Sequence, residues 1–146
     1  MRKILLVLIS SITFLAISSS ANAIKVGALY LDTAGFFGEI KVGIEAAGAE
    51  EGIELTGANS QSDVAKESEF IDTLIAKGVD VVIMSPVSTD SSVAAVERLA
   101  EAGIPVVCYN TCLNDDDAAR LAYALVTTSQ RELGYPVGVM AGEWAI

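Results

Sequence analysis

Three times along this chain a helical stretch ends in glycine and a β-branched residue opens the next extended run: Gly52-Ile53, Gly78-Val79 and Gly103-Ile104. The glycines fall 26 and then 25 residues apart, from Gly52 to Gly78 and from Gly78 to Gly103. Glycine suits the left-handed position that closes a helix. A unit of this length, repeated, is a strand followed by a helix, which predicts right-handed βαβ crossovers and a parallel sheet.

The runs between the glycines fit that frame. Lys25 to Tyr30 is a short β-type segment, and Phe37, Ile40, Ile44 and Ala47 then form a helical stripe. Ile53 to Thr56 starts a second strand, and Asp63 to Lys77 is helical, with Val64, Ile71, Leu74 and Ile75 apolar. Val79 to Met84 is almost wholly apolar, as strands buried on both faces of a parallel sheet are. Thr89 or Asp90 is expected to cap a helix carrying Val93, Val96 and Leu99, and Ile104 to Tyr109 is the fourth strand. Pro105 is tolerated there because a missing N–H costs least at a strand's beginning. The expected fold class is α/β, a doubly wound parallel sheet.

Beyond Tyr109 the pattern breaks. Asp115-Asp116-Asp117 lies in a polar stretch and is expected to cap a short helix or face solvent, since no other ligand stands at EF-hand spacing. Leu121 to Thr128 reads as another strand. Ser129 with Glu132 forms a capping box that opens a last helix. Pro136 inside that helix removes a hydrogen bond, and Val137, Met140 and Trp144 give it apolar side chains. That helix runs to Ile146 without a cap, and the expectation is a fragment of a longer protein.

The first 23 residues read as an address. Arg2 and Lys3 precede a mostly apolar run from Ile4 to Ile17, which leads into Ala21-Asn22-Ala23. This is the layout of a secretory signal peptide cleaved after Ala23. The apolar run is too short for a bilayer span, which needs roughly 20 residues. Position 24 is Ile rather than Cys, which argues against a lipid-anchored start. In an exported protein Cys108 and Cys112 are either a local disulfide or two buried thiols.

Composition removes several functions. Nine Lys and Arg against nineteen Asp and Glu leave a formal charge of −10, which repels phosphate backbones and excludes nucleic acid as a partner. The chain has no histidine, so Ser-His, Cys-His and His-metal arrangements are ruled out, and no metal is expected. No glycine-rich phosphate loop stands at a strand-helix junction, and no cofactor is implied. In open parallel sheets, ligands bind beyond the carboxyl ends of the strands. Those ends carry Leu31 to Phe37, Asn59 to Gln61, Ser85 to Thr89, and Asn110-Thr111. Short amide and hydroxyl groups with two aromatics suit a neutral polyhydroxylated ligand.

At these residues the chain resembles the ribose-type (type I) periplasmic sugar-binding proteins of ABC importers. The resemblance rests on Phe36-Phe37 opening the first helix, Ser85-Pro86 after the third strand, and Gly103-Ile104-Pro105-Val106-Val107 leading to a polar residue. It rests also on Thr128-Ser129-Gln130 followed by Leu133-Gly134, similar to the family's crossing into its second lobe. The resemblance implies a signal peptide over 1–23, a sugar-binding lobe over 24–127, and a crossing segment with the first helix of a second lobe over 128–146. It implies a periplasmic protein, monomeric when full length, that takes a sugar or polyol and delivers it to a membrane permease. Phe36 and Phe37 would be the pair that stacks on the sugar, although Phe37 also belongs to the apolar stripe. Ser85 would be a polar contact. Asn110 stands where many members carry an aspartate, and Thr111 where an arginine is frequent. Asp32 and Tyr30 are further candidates, with Asp32 equally placed to cap the first helix. Other readings are an exported sensor lobe for a quorum-signalling furanose or a chemoreceptor, a sugar-responsive repressor, and a carboxylate-based α/β hydrolase. The repressor lacks a DNA-binding segment here, and the hydrolase needs paired acids where only Asp32 faces the crevice.

Overall fold

The repeating glycines adopt the backbone their position asks for. Gly52, Gly78 and Gly103 have φ of 67°, 62° and 73° in a computed structural model that describes residues 23–145. The expected signal peptide, apart from Ala23, lies outside the described residues. The elements are β1 (Lys25–Tyr30), α1 (Gly35–Glu50), β2 (Glu54–Asn59), α2 (Val64–Lys77) and β3 (Val81–Met84). They continue with α3 (Val93–Glu101), β4 (Val106–Tyr109), α4 (Asp115–Leu121), β5 (Ala122–Val126) and α5 (Gln130–Trp144).

The five strands form one parallel sheet in the order β2-β1-β3-β4-β5. Growth runs outward from β1 to β2, then reverses past β1 to β3, β4 and β5. With right-handed crossovers this puts α1 on one face and α2, α3 and α4 on the other. The sheet is doubly wound, as the repeat predicts.

Strand alternation decides which side chains reach which face. Leu29, Val82, Met84 and Val106 meet Ile71 and Leu74 of α2 and Val96 and Leu99 of α3 in the core. Gly27 lets α2 come close: a Cβ there would stand 2.8 Å from Leu74 Cδ1. The α1 face is less fully covered. Phe37, Ile40 and Ile44 are half-buried, whereas Ala47 is exposed and Gly48 is buried over Leu55. The stripe is displaced by one position because the close approach of α1 to β2 falls at the residue without a side chain.

Several local expectations hold and some do not. Gly78 caps α2, and Asp63 opens it by accepting from the Ala65 and Lys66 N–H groups. Asn114 caps α4, whose first turn contains the three aspartates, with Asp117 bound to Arg120 at 2.6 Å. The Ser129 hydroxyl accepts from the Glu132 N–H at the start of α5, and Pro136 lies inside that helix. Neither Thr89 nor Asp90 caps α3, which begins later with Ser92 at its N-cap position. The Ser88 hydroxyl accepts from Ser91 N–H and the Ser92 hydroxyl from Ser88 N–H, closing a turn before the helix starts. Asp32 does not cap α1 either. Ala34 holds that position, while the Asp32 carboxylate accepts from the adjacent Thr33 N–H. Cys108 and Cys112 are joined as a disulfide, with Cα atoms 5.3 Å apart.

The glycines give a direct test by urea unfolding. Gly78→Ala meets no atom within 4 Å, so its cost is the left-handed backbone alone, about 1–2 kcal/mol. Gly78→Asn should lose less, because Asn tolerates that conformation. Gly27→Ala should cost about 1–3 kcal/mol by overpacking against Leu74, and the same substitution in a Leu74→Ala background should cost less.

Candidate functional site

The strand order reverses between β1 and β3, and the carboxyl ends of β2, β1, β3 and β4 surround that point. This is where ligands lie in open α/β sheets. The loops there are tied to one another before any ligand is considered. Ser60, buried, donates its hydroxyl to the Tyr30 carbonyl, and Ser60 and Ser62 N–H groups bond to the Tyr30 and Leu31 carbonyls. The Asn59 amide donates to the Thr33 hydroxyl and accepts from Gln61 N–H. Gln61 and Ser62 both have positive φ, so the loop after β2 is held in a tight reversal.

The four loops do not contribute equally. Phe36 projects from the start of α1 and is 63% exposed. Phe37 is half-buried and meets Phe36 edge-to-face, with centroids 5.3 Å apart. Phe36, Ile40, Tyr109, Asn110, Val126, Thr127 and Thr128 line a groove of about 290 Å³. No lining residue is charged. Asn110 has φ of 62°, its N–H bonds to the Val126 carbonyl, and its own carbonyl accepts from the Thr127 hydroxyl. Its side-chain amide makes no hydrogen bond among the described residues, and is half-buried. Thr111 is exposed, and its hydroxyl lies 3.5 Å from that of Ser85, itself buried at the end of β3. Asp32 is exposed on the loop after β1.

Tyr30 is a correction. By strand alternation its ring points to the α1 face rather than into the crevice. It packs against Gly57, with Lys41 Nζ 5.8 Å from the ring centroid, and is 2% exposed. Burial, with the Glu45 carboxylate nearby, pushes its phenol up to about 12. The structure therefore brings together Phe36, Asn110, Thr111 and Ser85 at the crevice and takes Tyr30 out of it. Among the described residues, no group of three or more Cys, Asp or Glu is arranged to hold a metal ion.

Residues 27–146 match the periplasmic binding protein domain. The chain belongs to the periplasmic binding protein family. It is 37% identical over 130 residues to the ABC transporter periplasmic-binding protein YphF of Escherichia coli K12, covering 88% of this chain and 40% of that protein. It is 29% identical over 102 residues to a xylitol-binding protein of Mycolicibacterium smegmatis, covering 70% of this chain and 29% of that one. Among solved structures, the binding component of an arabinose ABC transporter from Shewanella sp. ANA-3, with bound L-arabinofuranose, superposes with a TM-score of 0.76 at 23% identity. That match covers 83% of this chain and 40% of the other, and shows the shared fold. This family member thus spans well under half the length of these relatives.

One buried acid beside the crevice is not among the residues that the sequence pattern singles out. Glu67 on α2 is fully buried, and its Oε2 accepts from the Val87 N–H at 2.8 Å. Its Oε1 has no hydrogen-bond partner; the Ser92 hydroxyl beside it favours the charged form without reaching bonding geometry. Burial outweighs both groups and raises the carboxyl above its ordinary range. A signal was present: Val64, Glu67, Ile71 and Leu74 fall on one helical stripe, so an acid stands on an apolar face. A carboxyl with a raised folded-state pKa contributes stability that is fully present below the unfolded value and is lost as pH rises through the folded one. Stability measured by urea unfolding should therefore fall from about pH 4.5 upward through the shifted range. In Glu67→Gln that part of the fall should be missing, and an identical pH profile in the variant would show Glu67 titrating normally.

Proposed function

We propose that the protein is the solute-binding component of an ABC importer, capturing a neutral sugar or sugar-like polyol and delivering it to a membrane permease. Exposed Phe36 standing over an uncharged groove beside the unpaired Asn110 amide carries the reading. An aromatic face covers the C–H surface of a sugar, and an amide both donates to and accepts from its hydroxyls. On this wall no Lys or Arg lines the groove, and its side chains suit hydroxyls rather than a phosphate or carboxylate. A relative that binds xylitol and a neighbour that holds arabinofuranose support the same ligand class. Family membership supports a periplasmic location and a signal peptide over residues 1–23. A binding role, not catalysis, is what the relatives support, since the matching proteins of Escherichia coli and Mycolicibacterium smegmatis are both named for binding.

In this reading residues 24–127 form one wall of the site. Residues 128–146 pass into a second lobe, whose opposing wall closes on the ligand. The exposed Tyr135, Val137, Met140 and Trp144 of α5 support that division, since they find no cover in the described lobe. Phe36 stacks on the ring and Asn110 fixes its hydroxyls, with Ser85, Thr111 and Asp32 as polar contacts and Phe37 bracing Phe36.

Screening the intact protein by thermal shift against pentoses, hexoses, furanoses, polyols and sugar phosphates tests the reading. A neutral sugar or polyol should raise the melting temperature, because it binds only the native state, and sugar phosphates should not. With the ligand so found, Asn110→Ala should weaken binding by about 1–3 kcal/mol, or roughly 5- to 150-fold in Kd by calorimetry. A panel without any response would overturn the sugar-binding reading, and an unchanged Kd would remove Asn110 from the site.

A further inference from the structure

The loop between β3 and α3 carries Ser85 into the crevice, yet it runs eight residues, from Ser85 to Ser92, before helical bonding begins at Val93. Much of its bonding is internal: Ser88 N–H to the Ser92 hydroxyl, Ser91 N–H to the Ser88 hydroxyl, and Ser92 N–H to the Ser88 carbonyl. Such a closed turn keeps its own shape but does not fix where it sits on the domain. Besides the Ser85 hydroxyl, which lies 3.5 Å from that of Thr111, two ties to other elements do that. Asn114 holds the far half, its N–H donating to the Thr89 carbonyl and its amide to the Asp90 carboxylate. The near half, next to Ser85, is held by Glu67 through the Val87 N–H.

Glu67 is expensive where it stands. A fully buried carboxyl without a cationic partner costs free energy that an apolar side chain on the same helical face would not. None of the ion pairs among the described residues includes it. Its yield is one acceptor, aimed at the N–H two residues beyond Ser85. Pro86, between them, has no N–H of its own, so Val87 is the first donor after Ser85 by which the loop can be gripped.

We propose that Glu67 is a positioning residue for the ligand: from α2, behind the crevice, it grips the Val87 N–H and so sets the β3–α3 loop in the shape that presents Ser85 beside Thr111. The effect on affinity rests on the sugar-binding reading, whereas the effect on the loop does not. What the loop requires is the acceptor rather than the charge, so Glu67→Gln is equivalent to the native residue and Glu67→Leu is not.

The experiment compares these two variants in the intact protein by amide hydrogen exchange without ligand, and by calorimetry with the neutral sugar that gives the largest thermal shift. In Glu67→Leu the Val87 amide should exchange about tenfold faster or more relative to those of Leu29 and Val106, and affinity should fall on the order of tenfold. Glu67→Gln should restore both. Wild-type protection of Val87 in the Leu variant would overturn the proposal, and so would a loosened Val87 with unchanged affinity. Should the Leu variant fail to fold, Glu67→Asp, which withdraws the acceptor by one methylene, replaces it with the same expected outcome. A wild-type Val87 amide exchanging as fast as that of exposed Asp90 would overturn it without any variant. Failure of wild-type protein to bind any sugar would sink the sugar-binding reading instead, with the exchange comparison still deciding the loop.

Discussion

Everything in this lobe depends on β1 being hydrogen-bonded on both sides by strands that come after it. Lys25 to Tyr30 pair with Glu54 to Asn59 on one edge, and Val26 to Leu29 pair with Val81 to Met84 on the other. Because the chain can cross only right-handedly, the helix after β1 and the helices after β2 and β3 must lie on opposite faces. That parts the loops above β1 and β3 and opens a crevice between them. The ends of β2 and β4 then close in from the sides, so four stretches distant in sequence share one small space.

The crevice is built from groups that satisfy each other except at a few points. Asn59, Ser60 and Thr33 spend their polar atoms on the loops themselves. The Asn110 backbone is committed to Val126 and Thr127, which leaves its side-chain amide without a partner among the described residues in a groove that Thr127 and Thr128 also line. An uncommitted donor and acceptor beside an exposed aromatic ring is an arrangement that suits a polyol. Buried Glu67 acts from the opposite side, with a backbone N–H of the adjoining loop as its partner.

The expected site residues separate along physical lines. Phe36 and Phe37 are neighbours in sequence, yet helical geometry turns Phe36 to the groove and sinks Phe37 halfway into the α1 face. Tyr30 ends a strand at the right edge of the sheet, but the two-residue alternation of side chains sends it beneath α1. Asp32 spends its carboxylate on its neighbour's N–H instead of on the helix. In each case position along the chain was legible, and direction was settled by the element to which the residue belongs.

What the sequence determined by itself is whatever one segment decides locally: the helix-closing glycines, the apolar strand runs, the Ser129 cap, and the place of Asp115 to Asp117 at the start of a short helix. Those depend on backbone conformations and side-chain bonds within a few residues, and such preferences are written where they act. The faces taken by the helices follow once the strand order is set, because crossovers are right-handed. Only the tertiary structure decided that Cys108 and Cys112 bond, that Ala47 yields to Gly48 at the α1–β2 approach, that Tyr30 leaves the crevice and that Glu67 reaches Val87. Each of these turns on the distance between groups and on which face a side chain takes once elements pack. Burial and pairing energies are set by that packing, and even Cys108 and Cys112, four residues apart, meet only in the folded chain.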